Sequence, residues 1–137
     1  ESGGGGLVAS THDYARFCQM LLNKGEIAGK RILKADTIKL MTENHIGPLT
    51  VAVDGTMPQP GSAQVRFGLD FALHTDPKSQ GLPYGVGTFY WGGAAGTWFW
   101  IDPVYNMIVV GMIQIRGDGS PDVRGLSRNL TYQAIIK

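Results

Sequence analysis

Hydrophobic positions along this chain change their period once. Tyr14, Phe17, Cys18, Leu21 and Leu22 recur at three- and four-residue spacing, which predicts an amphipathic helix over 11–23. Ser10, with Asp13 three residues on, reads as a variant capping box at its start, and Gly25 as its stop. Glu26 to Lys30 reads as a turn, and Ile38, Leu40 and Met41 place a second, short helix over 35–43. From Gln64 the period becomes two. Val65, Phe67, Leu69, Phe71 and Leu73 alternate with Arg66, Gly68, Asp70, Ala72 and His74, which predicts a strand over 64–74 with one buried face. Further strands follow over 87–91, 97–102 and 107–115. The almost unbroken apolar run Met107 to Ile113 predicts a central strand covered on both faces. A last helix over 122–136 would set Val123, Leu126, Leu130 and Ala134 against the sheet. Together these elements give an α+β fold, an antiparallel β-sheet flanked by helices.

Two segments break the periodic pattern. Ile46 to Ala63 carries Pro48, Asp54-Gly55, Pro58, Pro60 and Gly61, the composition of an irregular loop. Trp91-Gly92-Gly93-Ala94-Ala95-Gly96-Thr97 separates two aromatic strand runs. Paired glycines at a strand end mark either a tight hairpin turn or a place where a ligand or another group approaches the main chain. Both readings stand on the residues alone.

Composition narrows the chemistry. With 137 residues, 43% hydrophobic and 17% charged, the chain is long enough for one globular core. A net charge of +1 lacks the clustered basic excess that nucleic-acid binding needs, and no apolar run is long enough to span a bilayer. The single cysteine, Cys18, permits no intrachain disulfide and sits on the apolar helix stripe, where an inert buried thiol is expected. His12, His45 and His74 are far apart and show no zinc spacing. Gly25-x-x-x-Gly29-Lys30 is one residue short of a phosphate loop and continues with Arg31, not Ser or Thr. No cofactor is expected.

Gly3 to Thr11, Asp13 to Phe17, Gln19 to Gly25 and Trp91 to Thr97, in this order and spacing, resemble the C-terminal part of a serine hydrolase family. That family contains class C β-lactamases, D-alanyl-D-alanine carboxypeptidases and related esterases. The resemblance runs over nearly the whole chain and is weakest from Ile46 to Ala63. It implies the C-terminal portion of the β-lactamase/transpeptidase-like fold. There a five-stranded antiparallel sheet is flanked by terminal helices and a helical region holds the nucleophile. On this reading the chain supplies three of the five strands and the C-terminal helix, and its loop over 46–63 borders the substrate cleft.

The family acts through a Ser-x-x-Lys nucleophile motif, a Tyr-x-Asn or similar second motif, and a Lys-Thr-Gly or His/Trp-x-Gly third motif on a strand. No serine here has a lysine three residues on, and neither Tyr-x-Asn nor Tyr-x-Ser occurs. The chain is therefore expected to start within a domain and to be inactive alone. It would contribute the third motif to a site whose nucleophile and base lie elsewhere. By resemblance, Trp91, Gly92 and Gly93 occupy that motif and line the substrate, and the Ala94 backbone N–H is half of the oxyanion hole. Tryptophan in place of lysine offers no charge to a substrate carboxylate, which favours ester over β-lactam or peptide substrates. A non-catalytic binding or assembly domain of the same fold is the alternative. Missing strands would leave an open edge beside Met107 to Ile115, so an oligomer or association with the absent N-terminal part is expected. Bacterial cytoplasm and periplasm are equally compatible locations.

Overall fold

The helix predicted over 11–23 is α1, Thr11–Leu22, in a computed structural model that describes residues 6–49, 65–115 and 122–135. Ser10 caps it: the Asp13 N–H donates to Ser10 Oγ at 3.1 Å, and the Ser10 hydroxyl donates to Asp13 Oδ2 at 2.6 Å. The hydrogen bonds from Ser10 hold the Asp13 carboxyl below its ordinary pKa. At the other end Gly25 N–H reaches Met20 O and Lys24 N–H reaches Leu21 O, a Schellman closure. Lys24 takes the left-handed position, at φ 55°. Gly25, at φ 92°, has its own reason to be glycine, because a Cβ there would lie 2.2 Å from Leu33 O. The expected turn over Glu26 to Lys30 is the tip of a small hairpin of β1 (Glu26–Ile27) and β2 (Lys30–Arg31). The second helix, α2, is Ala35–Met41.

The single strand expected over 64–74 is two strands. β3 (Val65–Phe67) turns back through Gly68 to Phe71 into β4 (Ala72–His74), with Phe67 opposite Ala72. Gly68 N–H closes the turn on Phe71 O at 2.8 Å, and Asp70 has φ 77°. The end of α2 is stitched to this turn, since Leu69 N–H donates to Met41 O. A Cβ on Gly68 would meet that same carbonyl at 2.2 Å, so the bend is imposed by a tertiary contact. β5 (Thr88–Gly92), β6 (Trp98–Asp102) and β7 (Met107–Gly111) complete an antiparallel five-stranded sheet in the order β3-β4-β5-β6-β7. The chain thus forms five neighbouring strands, where the resemblance implied three.

One sheet face carries the apolar core. Phe71, Leu73, Phe89, Phe99 and Ile101 meet Cys18, Met20 and Leu21 of α1 and Ile38 of α2. Burial pushes the Cys18 thiol up to about 12, so the thiol is protonated and inert at neutral pH. The run Met107 to Ile113 is not central. Among the described residues β7 pairs with β6 alone and is only half-buried, because the apolar run faces α1 on one side and has no described strand beyond it.

The opposite face is aromatic and polar. Here α3, Val123–Gln133, lies with Arg124 beside Gly92 and with Tyr132 stacked near Trp100. Leu126 and Leu130, expected against the sheet, are 59% and 56% exposed, because aromatic and cationic groups occupy the inward side. Residue 136 of the expected helix, and 50–63 of the expected cleft loop, lie outside the described residues.

His74 is clamped in this face between Tyr84 and Tyr90, with ring centroids 4.5 and 4.8 Å away. Its Nδ1 is buried without a hydrogen-bond partner. Burial lowers its pKa from 6.5 to about 4, opposed by a hydrogen-bonding interaction with Gln80 and reinforced by Arg128. Below 6.5 the unfolded chain takes up a proton that the fold refuses, so stability falls as pH drops from about 6.5 towards 4. The loss expected from this one group is about 3 kcal/mol. Urea midpoints of the full-length protein at pH 7 and pH 4.5 check this. His74→Phe, which keeps the stack without a titrating ring, is expected to show a markedly smaller drop than the parent.

Candidate active site

The segment Trp91 to Thr97 lies at one end of the sheet, where β5 outruns its neighbour. The ladder between β4 and β5 stops at Tyr90, opposite Ala72, whereas β6 continues to Gly92, opposite Trp98. Among the described residues, the last two of β5 therefore have a strand on one side only. Trp91 is 39% exposed, and its ring meets Phe67 edge-on with centroids 5.3 Å apart.

The turn itself is closed by its own backbone. Gly93 N–H donates to Thr97 O at 2.8 Å and Gly96 N–H donates to Gly93 O at 3.0 Å. Ile115 N–H ties Ala95 O to the chain beyond β7 at 3.0 Å. Ala94 is exposed at the tip, and no acceptor among the described residues takes its N–H. A backbone donor that is fixed and unpartnered can meet charge developing on a substrate oxygen without reorganising.

The glycines record close approach. A Cβ at Gly92 would lie 2.3 Å from Arg124 Nη2, and one at Gly93 would lie 2.4 Å from Thr97 Oγ1. The segment is a hairpin turn, and its main chain is approached by a group of this chain.

Beside the turn, on the α1 side, is a hollow of about 170 Å³ lined by Tyr14, Trp91, Gly92, Gly93, Thr97, Trp98, Phe99 and Met112. Its chemistry is aromatic and uncharged. Burial, with smaller contributions from Cys18 and Asp70, raises the Tyr14 hydroxyl to about 12, so it keeps its proton and is no general base at neutral pH. A larger hollow of about 370 Å³ around Leu22 to Gly29 holds no arrangement of nucleophile and base.

Trp91, Gly92 and Gly93 line the hollow together with Tyr14 and Met112, while Ala94 lies at the exposed tip of the turn and Arg124 lies beside Gly92 on the α3 face. Sequence reasoning missed Tyr14, Met112 and Arg124. Tyr14 was legible only as part of a buried stripe, and nothing near Met112 or Arg124 in the chain signals proximity to Trp91. No serine or cysteine lines the hollow among the described residues. Ser10 Oγ is used by the cap of α1, Ser79 Oγ donates to Asp76 O, and Ser127 Oγ donates to Arg124 O. His45 is bonded through Nε2 to Leu40 O, and His74 is held in its aromatic clamp.

Comparison with known proteins bears on this geometry. The family model described as Beta-lactamase matches residues 1–133. Protein Rv1367c of Mycobacterium tuberculosis (strain ATCC 25618 / H37Rv) is 38% identical over 122 residues, which are 87% of this chain and 30% of the relative. The structure of EstCE1, a hydrolase with promiscuous acyltransferase activity, matches with a TM-score of 0.71 at 27% identity, over 96% of this chain and 32% of that one. A putative 6-aminohexanoate-dimer hydrolase from Bacillus anthracis matches in fold, with a TM-score of 0.59 at 23% identity over 91% of this chain and 27% of that one. The chain thus spans about a third of the length of the proteins it matches.

Proposed function

The chain belongs to the Beta-lactamase family, and we propose that it forms one wall of a serine hydrolase site that acts through an acyl-enzyme on uncharged esters. The observation that carries this reading is the exposed, unpartnered Ala94 N–H at the tip of a turn closed on both sides. In the proposed reaction a serine on sequence outside this chain attacks the ester carbonyl. Its proton passes to a neighbouring base, and the carbonyl oxygen becomes an oxyanion. Ala94 N–H and the N–H of that serine donate to the oxyanion, the alcohol leaves, and water then releases the acid from the acyl-enzyme. Trp91, Gly92 and Gly93 line the acyl or alcohol group beside the hollow.

Esters are favoured over β-lactams because Trp91 and the hollow beside it offer an aromatic surface with no cation lining it. EstCE1, a structural relative at 27% identity, is a hydrolase with acyltransferase activity, which supports the acyl-enzyme route. The half-buried, one-sided β7 fits the same reading, since a strand of the remaining polypeptide would cover its edge.

The full-length protein tests the proposal. Fluorophosphonate is expected to label a serine outside these 137 residues, and short-chain nitrophenyl esters are expected to be cleaved faster than cephalosporins. Absence of label with no ester turnover would leave the non-catalytic binding domain as the better reading. Faster cephalosporin turnover would overturn the ester preference alone.

A further inference from the structure

We propose that Arg124 is a positioning residue for the turn that carries the Ala94 N–H. The inference rests on the role given to that N–H under the proposed function. Arg124 sits in the first turn of α3, far along the chain from the motif. Its guanidinium nevertheless lies against the main chain of β5: a Cβ built at Gly92 would be 2.3 Å from Nη2, 2.9 Å from Cζ and 3.0 Å from Nη1. All three distances are short, so the Nη2 end of the guanidinium occupies the space that a Cβ at 92 would fill.

The same group holds the turn. Arg124 Nη2 donates to Thr97 O at 3.4 Å, and Thr97 O also accepts the Gly93 N–H at 2.8 Å. One carbonyl is thus shared by the turn's own closure and by the helix. Moving the guanidinium frees one face of Gly92 and one bond at Thr97, the two residues that bracket Gly93 to Gly96. No carboxylate among the described residues pairs with Arg124, so its contacts here are with the strand and the turn.

Arg124 projects from a helix that is capped at its start and tied to the sheet at its end. Asp122 caps the helix, accepting the Gly125 N–H at 2.8 Å, and Tyr132 donates to Asp102 of β6. The cap fixes the turn of helix from which Arg124 projects, and the Tyr132 bond ties the far end of that helix to the sheet. A side chain mounted on a fixed helix can hold a turn that has few other tertiary contacts. Gly92 then owes its lack of a Cβ to Arg124, and the pair acts as one device.

Arg124→Met, Gly92→Ala and the double variant of the full-length protein test this. Hydrogen–deuterium exchange over Trp91 to Trp98 reads the bracing without reference to activity. Exchange there is expected to accelerate in Arg124→Met while that of β7 and of β6 beyond Trp98 is unchanged. Unchanged exchange over Trp91 to Trp98 overturns the inference even if the enzyme proves inactive on esters. With nitrophenyl butyrate as the probe, kcat is expected to fall about tenfold in Arg124→Met with KM within about twofold, as expected for a misplaced catalytic group. Gly92→Ala, which leaves Arg124 in the chain but displaces its guanidinium, is expected to reproduce the fall. The double variant is expected to be no worse than the worse single one. Multiplying losses, or a change confined to KM, would overturn the coupling. Should Arg124→Met fail to fold, Gly92→Ala carries the same test.

Discussion

Asp102→Ala is expected to destabilise the full-length protein by about 3–5 kcal/mol, enough to unfold a marginal domain. Asp102 is completely buried at the end of β6. Its Oδ2 accepts the Gly85 N–H at 2.7 Å and the Tyr132 hydroxyl, and its Oδ1 accepts the N–H groups of Val104 and Tyr105 at 3.0 and 3.2 Å. One carboxylate thereby joins the loop before β5, the turn after β6, and α3. Alanine would strand four donors. Val104 and Tyr105 lie in an exposed turn where water can replace part of the loss, but Gly85 is buried and Tyr132 is packed among Tyr84, Trp100 and Tyr105. The estimate therefore rests mainly on those two donors. Burial first, and the bond to Asp102 second, raise the Tyr132 pKa, so the phenol keeps its proton and stays a donor. Tyr132→Phe removes one donor and its bond together and is expected to cost about 1–2 kcal/mol. Denaturant midpoints and slopes measure both. An Asp102→Ala protein within about 1 kcal/mol of the parent would mean that the network has an alternative acceptor.

How far the fold was legible depended on the range of the interactions that decide each element. α1 is decided locally: its cap, its apolar stripe and its C-terminal turn all lie within fifteen residues of each other, and the predicted bounds lie close to the observed Thr11–Leu22. The hairpin of β3 and β4 was hidden because alternation marks extended backbone without marking where it reverses. Only Gly68 and Asp70 hinted at the bend, and the contact that enforces it, with Met41 O, comes from another element. β7 was misplaced for a related reason. An unbroken apolar run reports that both faces can be covered, not that a neighbouring strand is present on each edge. For α3 the apolar stripe was read inward, yet the sheet face it meets presents Tyr84, Tyr90 and Trp100, for which arginine and tyrosine are better partners. Arg128 lies 5.9 Å above the Tyr84 ring in that layer. The wall of the site was half legible. The small residues of Trp91 to Thr97 announced a close approach to the main chain, but the guanidinium that makes it comes from residue 124, and no local spacing encodes that meeting.

Ala94→Pro in the full-length protein is expected to lower kcat for short-chain esters by about 10²–10³, with KM changed far less. Proline deletes the N–H, and because its ring also fixes φ at residue 94 and restricts Gly93, stability is measured alongside activity. Loss of one oxyanion donor typically costs this much, because the remaining donor must meet the charge alone while water cannot enter in the right place. The effect would fall on kcat because the oxygen carries little charge in the bound ester and a full charge only as the tetrahedral intermediate forms. Ala94→Gly and Ala94→Ser keep the N–H and serve as the controls, both expected within about threefold of the parent, in line with a role confined to the backbone donor. The turn's closure uses Gly93, Gly96 and Thr97, and the tie to Ile115 uses the Ala95 carbonyl, so none of these bonds needs the hydrogen that proline removes. An unchanged melting midpoint for Ala94→Pro would show that the turn survives. If kcat then stayed within about threefold of the parent, Ala94 would not be the donor, and the wall formed by Trp91 to Thr97 would have to act by binding alone.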